Sequence, residues 1–404
     1  MGIHEETQKI MATDTAQSIF GASMAPFKSL QETVPIAMDM VKRGKFKLLK
    51  TFLGPAYDGL VLKKGKQSKQ SFMHADHDIC YDWTYAKGRN PQIDRLYEAG
   101  KAAQWNVSTD IDWTKEVNPL DIARPIIPDK FCPAAPHPMW NKLTPHEQAV
   151  ERQSLLAWLL SQLLHGEQGA LFATSQVVQS IPILDGKLFG ASQIGDEARH
   201  VEVFHRYLAE KLEKRYEIND NLFVLIEAIM QDSRWDVKFL GMQIMIEGFG
   251  LGAFRAIREI VNEPLLEDIM LYVIADEARH VHYGVLALQE FYSKELSEKE
   301  LAEREDLAFE ICLLLQKRFL AHEIYEEFYG QKMTLSQWDQ FAYDSYLMQI
   351  FRDSMFDLII PNLKQIGLLS PRIEPLYRSH GLLRNDLGKS APDMKNEDYL
   401  LKVR

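Results

Sequence analysis

One five-residue segment, Asp-Glu-Ala-Arg-His, occurs twice in the chain, at 196–200 and at 276–280. Each copy contains the spacing Glu-x-x-His. On an α-helix, three residues advance ~300° around the axis and ~4.5 Å along it, so the glutamate and the histidine lie on one face, one turn apart. Each copy therefore predicts a helix that offers one carboxylate and one imidazole in the same direction.

A further glutamate stands thirty residues before each copy, Glu167 before Glu197 and Glu247 before Glu277. Both earlier glutamates lie in apolar, helical stretches. Glutamate is rarely buried unless it is paired or bound to a metal, and four buried together need compensating positive charge. One Glu from each of two helices, with Glu-x-x-His from each of two others, is the ligand set of a four-helix bundle that binds two metal ions.

The predicted metal ligands, which are also the predicted catalytic residues, are Glu167, Glu197, His200, Glu247, Glu277 and His280. Four carboxylates, two imidazoles and no thiolate form a hard ligand set that favours iron, with manganese as the alternative. Four anionic ligands also neutralise two divalent ions. We therefore expect two Fe ions, in the Fe2+ or Fe3+ state, at this position.

Five further residues are predicted to support the site from behind the ligands. Asp196 and Asp276 are each expected to accept the free ring N–H of a histidine ligand. Arg199 and Arg279 are expected to pair with those aspartates, or else to form ordinary solvated salt bridges. Gln243, one turn before Glu247, either forms a hydrogen bond near the site or is a plain helix-surface amide.

Helix breakers stand at the midpoints of both glutamate pairs. Residue 182 is proline, and residue 262 is asparagine, followed closely by Pro264. Two antiparallel helices joined at such turns place residues equidistant from the turn at similar heights. We therefore expect Glu167 to face Glu197 and His200, and we expect the same arrangement in the second half of the repeat.

The helical core begins with a clear start signal. Thr144-Pro145-His146-Glu147 is a capping box with proline at the first helical position. Apolar residues at a spacing of three to four predict one helix of roughly 35 residues, up to about Ile181. The predicted organisation is a wrapping, helical extension over 1–140, the metal-binding core over 141–295, buttressing helices over 296–390 and a tail over 391–404.

Two local features have more than one interpretation. Gly248, Gly250 and Gly252 follow Glu247 and disfavour regular helix. They indicate a local distortion, room for a substrate, or close packing against a neighbour. The lysines at 63, 64, 66 and 69 are typical of a solvated loop, and the alternative is an anchor for an anionic, carrier-bound substrate.

Composition excludes several classes of protein. The formal net charge of −11 argues against a nucleic-acid partner. Three widely separated cysteines give no Cys-x-x-Cys site and no disulfide framework. No secretory signal is visible at the N-terminus, and no apolar run approaches the length of ~18 residues that a membrane span needs. We therefore expect a cytoplasmic protein.

The paired Asp-Glu-Ala-Arg-His segments, each with its upstream glutamate, resemble the ferritin-like non-haem diiron oxygenases, over residues 144–292. Two branches are similar, the bacterial multicomponent monooxygenase hydroxylases and the arylamine N-oxygenases. The stretch from Gln104 to Trp113 also resembles the tryptophan-containing lead-in of some such proteins. The resemblance implies an all-α fold, a ferritin-like four-helix bundle with additional N- and C-terminal helices.

Three positions depart from the patterns of the known branches. Val273 stands where the N-oxygenases carry an additional histidine, and Leu251 stands where the multicomponent hydroxylases have a threonine. Phe204 occupies the position of a ribonucleotide-reductase-like radical tyrosine. The resemblance therefore implies the metal site and does not identify the substrate.

The predicted function is that of a diiron monooxygenase that uses O2 as co-substrate for hydroxylation, epoxidation or N-oxygenation of a small organic substrate, free or carrier-bound. Electrons are expected from an external ferredoxin or flavin reductase, because the sequence shows no built-in redox centre. The alternatives are a ferroxidase or iron-handling protein and a non-catalytic scaffold subunit of an oxygenase. A homodimer is compatible with the additional helices.

Overall fold

In this computed structural model, the described residues are 26–67, 73, 75, 77–81, 83–318, 320–383 and 388–399. Within those ranges every regular element is a helix, which confirms the predicted all-α class. The first four α-helices are α1 (Pro26–Lys42), α2 (Phe46–Ala56), α3 (Lys64–Gln67) and α4 (Pro91–Ala102). The bundle region contains α5 (Pro145–Ser180), α6 (Leu184–Tyr207), α7 (Asp220–Gln231), α8 (Trp235–Phe239), α9 (Glu247–Ile260) and α10 (Pro264–Lys294). The remaining α-helices are α11 (Glu298–Arg318), α12 (His322–Phe328), α13 (Leu335–Asp344), α14 (Tyr346–Gln365), α15 (Glu374–Ser379) and α16 (Asn396–Tyr399).

Helix α5 is 36 residues long and begins where the sequence predicts. The Thr144 side chain accepts a hydrogen bond from the backbone N–H of Glu147, and the Glu147 carboxylate accepts one from the N–H of Thr144. This capping box supplies partners for groups that the first helical turn leaves unpaired. The helix ends at Ser180, ahead of Pro182, and α6 runs back along it. The long helix and its stop are therefore confirmed.

The second helix hairpin forms in the same way. Helix α9 ends at Ile260, and α10 begins at Pro264. The Glu263 carboxylate accepts hydrogen bonds of 2.8 Å from the N–H groups of Leu265 and Leu266, and Tyr207 donates to it across the bundle at 2.7 Å. Both predicted turns are confirmed, and the two hairpins form the four-helix core.

A π-helical segment, Leu240–Ile246, stands directly before Glu247 and joins α8 to α9. The distortion is therefore on the N-terminal side of Glu247, whereas the glycine-rich stretch after it is regular α-helix. A Cβ at Gly248 would lie 3.2 Å from Ile359, and the carbonyl of Gly252 accepts a hydrogen bond of 2.9 Å from Ser354. These glycines allow α14 to pack closely on α9, so the packing interpretation is the one that the structure supports.

The N-terminal extension wraps around the bundle. Asn262, in the turn of the second hairpin, donates its backbone N–H to the carbonyl of Ile126 at 3.0 Å and its side-chain amide to the carbonyl of Pro125 at 3.1 Å. Lys63 and Lys66 pair with Asp220, and Lys64 pairs with Asp58. These lysines are engaged within the protein, which weakens their interpretation as an anchor for a carrier. The fourth, Lys69, lies outside the described residues.

The C-terminal region is divided into several helices by local breaks. The first break stands before α12, where Ala321 takes a left-handed conformation with φ of 47°. Ser345 ends α13 and caps α14, its hydroxyl accepting from the N–H of Met348. Local capping therefore divides this region, and the proposed domain boundaries remain a prediction.

One stretch of the described chain, Trp235–Ile260, is long and apolar enough to cross a membrane by length and composition. The sequence analysis expected none of that kind. Its most apolar part is 94% buried inside the fold, because it supplies one wall of the four-helix core. Its apolar character is accounted for by protein packing.

Candidate metal centre

The structure brings the six predicted ligands together at the centre of the bundle. They form two overlapping groups in which one donor atom from each residue lies within 4.8 Å of the others. The first group is Glu167, Glu197, His200 and Glu277, and the second is Glu197, Glu247, Glu277 and His280. The groups share Glu197 and Glu277, so two carboxylates lie between two positions that could each hold a metal ion.

The first position is centred on Nδ1 of His200. This atom lies 3.2 Å from Oε2 of Glu167, 3.1 Å from Oε1 of Glu277 and 3.5 Å from Oε2 of Glu197. Glu167 reaches the group from α5, and Glu197 and His200 reach it from α6 through the one-turn spacing. This is the facing arrangement that the midpoint turns predict.

The second position repeats the first around His280. Its Nδ1 lies 3.2 Å from Oε1 of Glu197, 3.5 Å from Oε1 of Glu277 and 3.7 Å from Oε2 of Glu247. All six residues are buried, since none exposes more than 5% of its surface. Separate helix pairs thus supply the terminal glutamates, and the shared glutamates join the two positions.

Each histidine has its other ring nitrogen directed at an aspartate of the opposite repeat. Nε2 of His200 is 3.2 Å from Asp276, and Nε2 of His280 is 3.2 Å from Asp196. Because an ionised aspartate only accepts hydrogen bonds, each Nε2 carries the proton and each Nδ1 is left free for a metal. The structure therefore shows a crossed pairing, which links α6 to α10.

Both arginines contact the aspartates as predicted. Arg199 pairs with Asp196 and Arg279 with Asp276, and Arg199 also approaches Asp276 at 3.7 Å. Since both aspartates are nearly inaccessible, these are partly buried ion pairs, not solvated ones.

The lead-in segment after α4 reaches the same aspartates. The indole N–H of Trp105 donates to Asp276 at 2.7 Å, and the amide of Gln104 donates to Asp196 at 3.1 Å. The Arg199 guanidinium lies 5.5 Å from the centre of the Trp105 ring and donates to Gln104 at 2.6 Å. The N-terminal extension thus supplies a further hydrogen-bond donor to each aspartate.

Gln193 is a site residue that the sequence analysis missed. Its amide donates to Glu197 at 2.8 Å and to Glu247 at 3.2 Å, and it accepts from Gln243 at 2.7 Å. Gln243 therefore acts through Gln193 and does not reach a ligand by a hydrogen bond of its own. The signal was available, because Gln193 stands one turn before Glu197 just as Gln243 stands one turn before Glu247.

The charges of the site depend strongly on its burial. Burial raises the pKa of Glu167 to about 8 and the pKa of Glu247 to about 8, despite the neighbouring histidines. Burial also raises the pKa of Glu197, with a further contribution from Glu247. For His200 and His280, burial lowers the pKa, but the surrounding carboxylates outweigh it and raise the pKa well above its usual value. Without a metal, the site therefore retains protons at neutral pH.

The donor set fits two metal ions. Among the described residues, both carboxylate oxygens of Glu277, one of Glu197 and Nδ1 of His280 are buried without a hydrogen-bond partner. Buried polar atoms normally have a hydrogen-bond partner, so a cluster of buried acceptors without one indicates that a cation binds there. The unpartnered atoms are the ones that face the centre of the cluster, and the ligand set is compatible with a dinuclear iron or manganese–iron site.

No protein-family model and no curated protein matches the chain. Among solved structures, a variant of R2-like ligand-binding oxidase with a Mn/Fe cofactor has a TM-score of 0.45 and 18% sequence identity, covering 71% of this chain and 95% of that chain. A second variant of that oxidase has a TM-score of 0.44 and 16% identity, covering 71% and 96%. This is a broad similarity of helical fold. The assignment of the metal centre depends on the side chains of this chain and not on that similarity.

Proposed function

We propose that the protein is an O2-dependent non-haem diiron oxygenase, an oxidoreductase that inserts an oxygen atom into an organic substrate. The observation that carries this proposal is the pair of overlapping, buried ligand groups that share Glu197 and Glu277. Burial of so many ionisable side chains costs free energy, and a scaffold subunit would have no need for them. The proposed metal ligands are the six residues of the two groups.

Two bound irons would supply the redox chemistry that activates O2. The residues of the chain have distinct tasks around them. Glu167 and Glu247 each belong to one position only, whereas Glu197 and Glu277 contribute to both. Asp276 accepts a hydrogen bond from the Nε2–H of His200, which fixes the ring with Nδ1 toward the centre. Asp196 does the same for His280.

Electrons would come from an external ferredoxin or flavin reductase. The three cysteines are unpaired and separate, so they offer no thiolate-bound redox centre of their own. Burial raises the pKa of Cys132 and Cys312 far above the usual range, which keeps both as inert thiols. Unpaired cysteines also agree with the reducing environment of the proposed cytoplasmic location.

Metal content tests the ligand assignment. Protein loaded with Fe2+ under argon should contain two irons per chain, and His200→Ala or Glu277→Ala should reduce this number. The matched control is the third Glu-x-x-His of the chain, Glu202 and His205, which lies on the same helix but is exposed. The double variant Glu202→Ala/His205→Ala should keep both irons. Equal iron loss in the control and in the ligand variants would contradict the assignment.

Exposure of the diferrous protein to labelled O2 tests the reaction class. A carboxylate-bridged diiron spectrum should appear, and label should enter an organic product when a substrate and reductant are present. Label found only in water, with release of ferric iron, would instead identify a ferroxidase. Absence of any diiron spectrum after anaerobic loading would reject both.

A further inference from the structure

Helices α1 and α2 are joined by a tight turn, and residues 34–58 are called the N-terminal hairpin below. Gly44 forms the turn with φ of 70°, a conformation that glycine adopts without strain. Its N–H donates to the carbonyl of Val41 at 3.0 Å, and the N–H of Lys45 donates to that of Met40 at 2.9 Å. These two hydrogen bonds form a Schellman motif, so local contacts define the turn.

One face of the N-terminal hairpin packs on the rest of the protein. Arg43 pairs with Glu310 of α11, and Lys45 pairs with Asp306 of the same helix at 2.5 Å. Four apolar side chains are buried on this face: Ile36, Met40, Leu48 and Phe52. The inner face of the hairpin therefore combines apolar contacts with buried ion pairs.

The outer face of the N-terminal hairpin is apolar as well. Large apolar side chains recur there at spacings of three, four and seven residues, and at ~100° per residue they lie opposite the buried row of each helix. Each of them exposes between 45% and 64% of its surface. These residues are Val34, Met38, Val41, Phe46, Leu53 and Tyr57. Single exposed apolar residues are ordinary, but six on one hairpin indicate a binding surface.

Three exposed lysines accompany these apolar rows. Lys50 lies within the row of α2, whereas Lys42 and Lys47 lie along the edges of the rows. Lys47 is 3.5 Å from Glu303, yet 81% of its side chain is exposed. The outer face therefore presents apolar side chains together with positive charge.

The carboxylates of the N-terminal hairpin are engaged by cations. Asp39 pairs with Arg43 at 2.7 Å, and Asp58 pairs with Lys64 at 2.7 Å. The hairpin has five basic and two acidic residues, whereas the whole chain has a formal net charge of −11. The hairpin is thus a positively charged region of an acidic protein, and it complements a negatively charged partner.

A lipid surface fits this face better than a protein does. Protein interfaces are enriched in arginine and depleted in lysine, but the one arginine of the hairpin is turned inward to Glu310. A second copy bound through the same face would bring its lysines against these lysines. Apolar rows edged by lysine are typical of helices that lie in the headgroup region of an anionic membrane, where the long lysine side chains reach the phosphates.

We propose that the outer face of the N-terminal hairpin binds the surface of an anionic lipid membrane. The six apolar side chains enter the boundary between headgroups and acyl chains, and Lys42, Lys47 and Lys50 contact lipid phosphates. The negative charge of the remaining protein is repelled by the same surface, which turns the hairpin toward the membrane. This inference is independent of the metal centre and of the reaction that it performs.

Vesicle binding by the full-length protein tests the proposal. Co-sedimentation is measured with vesicles of phosphatidylcholine alone and with vesicles that also contain phosphatidylserine. Each lysine near an anionic surface contributes about a fivefold increase in affinity, so the three should give a preference of about 100-fold for the anionic vesicles. Raising the salt concentration from about 0.1 M to about 1 M should remove most of this preference. No binding to either vesicle, or equal binding to both, would overturn the proposal.

Two pairs of substitutions separate the apolar and the charged contributions. Phe46→Ser/Leu53→Ser should weaken binding to the anionic vesicles at least ~tenfold, because it removes apolar area from the face. Lys47→Gln/Lys50→Gln should weaken it about 25-fold and leave binding to neutral vesicles unchanged. Phe172→Ser is the matched control, because Phe172 is 59% exposed but lies on α5. Equal weakening by the control would overturn the assignment to the hairpin.

Melting temperature and molar mass distinguish the membrane from other roles of this face. The substituted side chains are exposed, so the Tm of each variant should match that of the unsubstituted protein. The lysine variant keeps the apolar rows intact, and it remains decisive if the serine variant does not fold. Light scattering that shows a dimer, dissociated by Phe46→Ser/Leu53→Ser while vesicle binding is unchanged, would assign the face to contact between copies and overturn the proposal.

Discussion

Binding of two divalent metal ions should release protons from the centre. Burial raises the pKa of Glu167 and of Glu247 to about 8 in the metal-free protein. At pH 7, a group with that pKa is ~0.9 protonated, and at pH 9 it is ~0.1 protonated. A metal binds the ionised carboxylate and the neutral imidazole, so these protons must leave when it enters.

The two terminal glutamates alone therefore account for about 1.8 protons per chain at pH 7 and about 0.2 at pH 9. Glu197, His200 and His280 add to this release, since each has a raised pKa in the metal-free state. The release should fall by about 1.6 protons between pH 7 and pH 9 from the two glutamates alone. This change with pH is independent of any assumption about the reaction.

Zinc is a suitable probe because it binds carboxylate and imidazole without redox chemistry. Zn2+ is titrated into metal-free protein, and proton release is measured by calorimetry in two buffers of different ionisation enthalpy. Glu151 provides a control, because burial raises its pKa to about 7 while its hydrogen bond is to Tyr329, away from the centre. Glu151→Gln should release as many protons as the unsubstituted chain. Release of fewer than one proton per chain at pH 7 would refute the reasoning.

The same pKa values set the pH dependence of stability after metal removal. The folded pKa of Glu167, about 8, lies above the ~4.3 of an unfolded glutamate. Its neutral form therefore stabilises the metal-free fold fully below pH ~4.3, and this contribution is lost as the pH rises toward 8. The stabilisation by bound metal increases as the pH rises, because the metal binds the ionised carboxylate. The gap in Tm between zinc-loaded and chelator-treated protein should consequently widen from pH 6 to pH 8, and a constant gap would contradict the assigned protonation.

Three substitutions test the surroundings of the ligands. Asp276→Asn removes the charged acceptor of the His200 ring N–H, so competition with a chelator should show a metal affinity ~10–100-fold lower. Gln193→Val removes the donor to Glu247 and to the shared Glu197, so both zinc-binding steps should weaken, one of them by about tenfold and the other by less; equal weakening of both would contradict it. Gly284→Ala places a Cβ 2.7 Å from that of Gln243, so thermal unfolding should show a loss of about 1–3 kcal/mol, whereas Gly195→Ala, which meets nothing within 4 Å, should not destabilise.

The core of the fold was predictable because its signals are local. A capping box at Thr144, proline at the start of two helices and breakers at 182 and 262 fix where the bundle helices begin and end. Those boundaries place Glu167 opposite His200. The chain needs no long-range information for this step, since helix periodicity and turn position determine which side chains meet.

The crossed aspartate pairing could not be predicted in the same way. Asp196 and Glu197 are adjacent in sequence, yet the aspartate supports His280 of the other repeat. Which histidine it meets depends on the distance and rotation between α6 and α10, and neither is encoded within one helix. The π-helical segment before Glu247 could not be predicted either, because no local sequence signal marks it. One interpretation of the sequence put a distortion at the glycines after Glu247, but the structure supports the alternative, in which those residues allow a close helix contact.

The two halves of the repeat are alike in their ligands and unlike in what surrounds them. The 80-residue shift relates Gln193 to Val273 and Leu163 to Gln243. Both amides of this set therefore support the Glu247 side, where Gln193 donates to Glu247 and accepts from Gln243. The matching positions of the other half, Leu163 and Val273, are apolar. The two halves thus share a ligand set but differ around it, with amides linked to Glu247 by hydrogen bonds and apolar side chains at the matching positions of the other half.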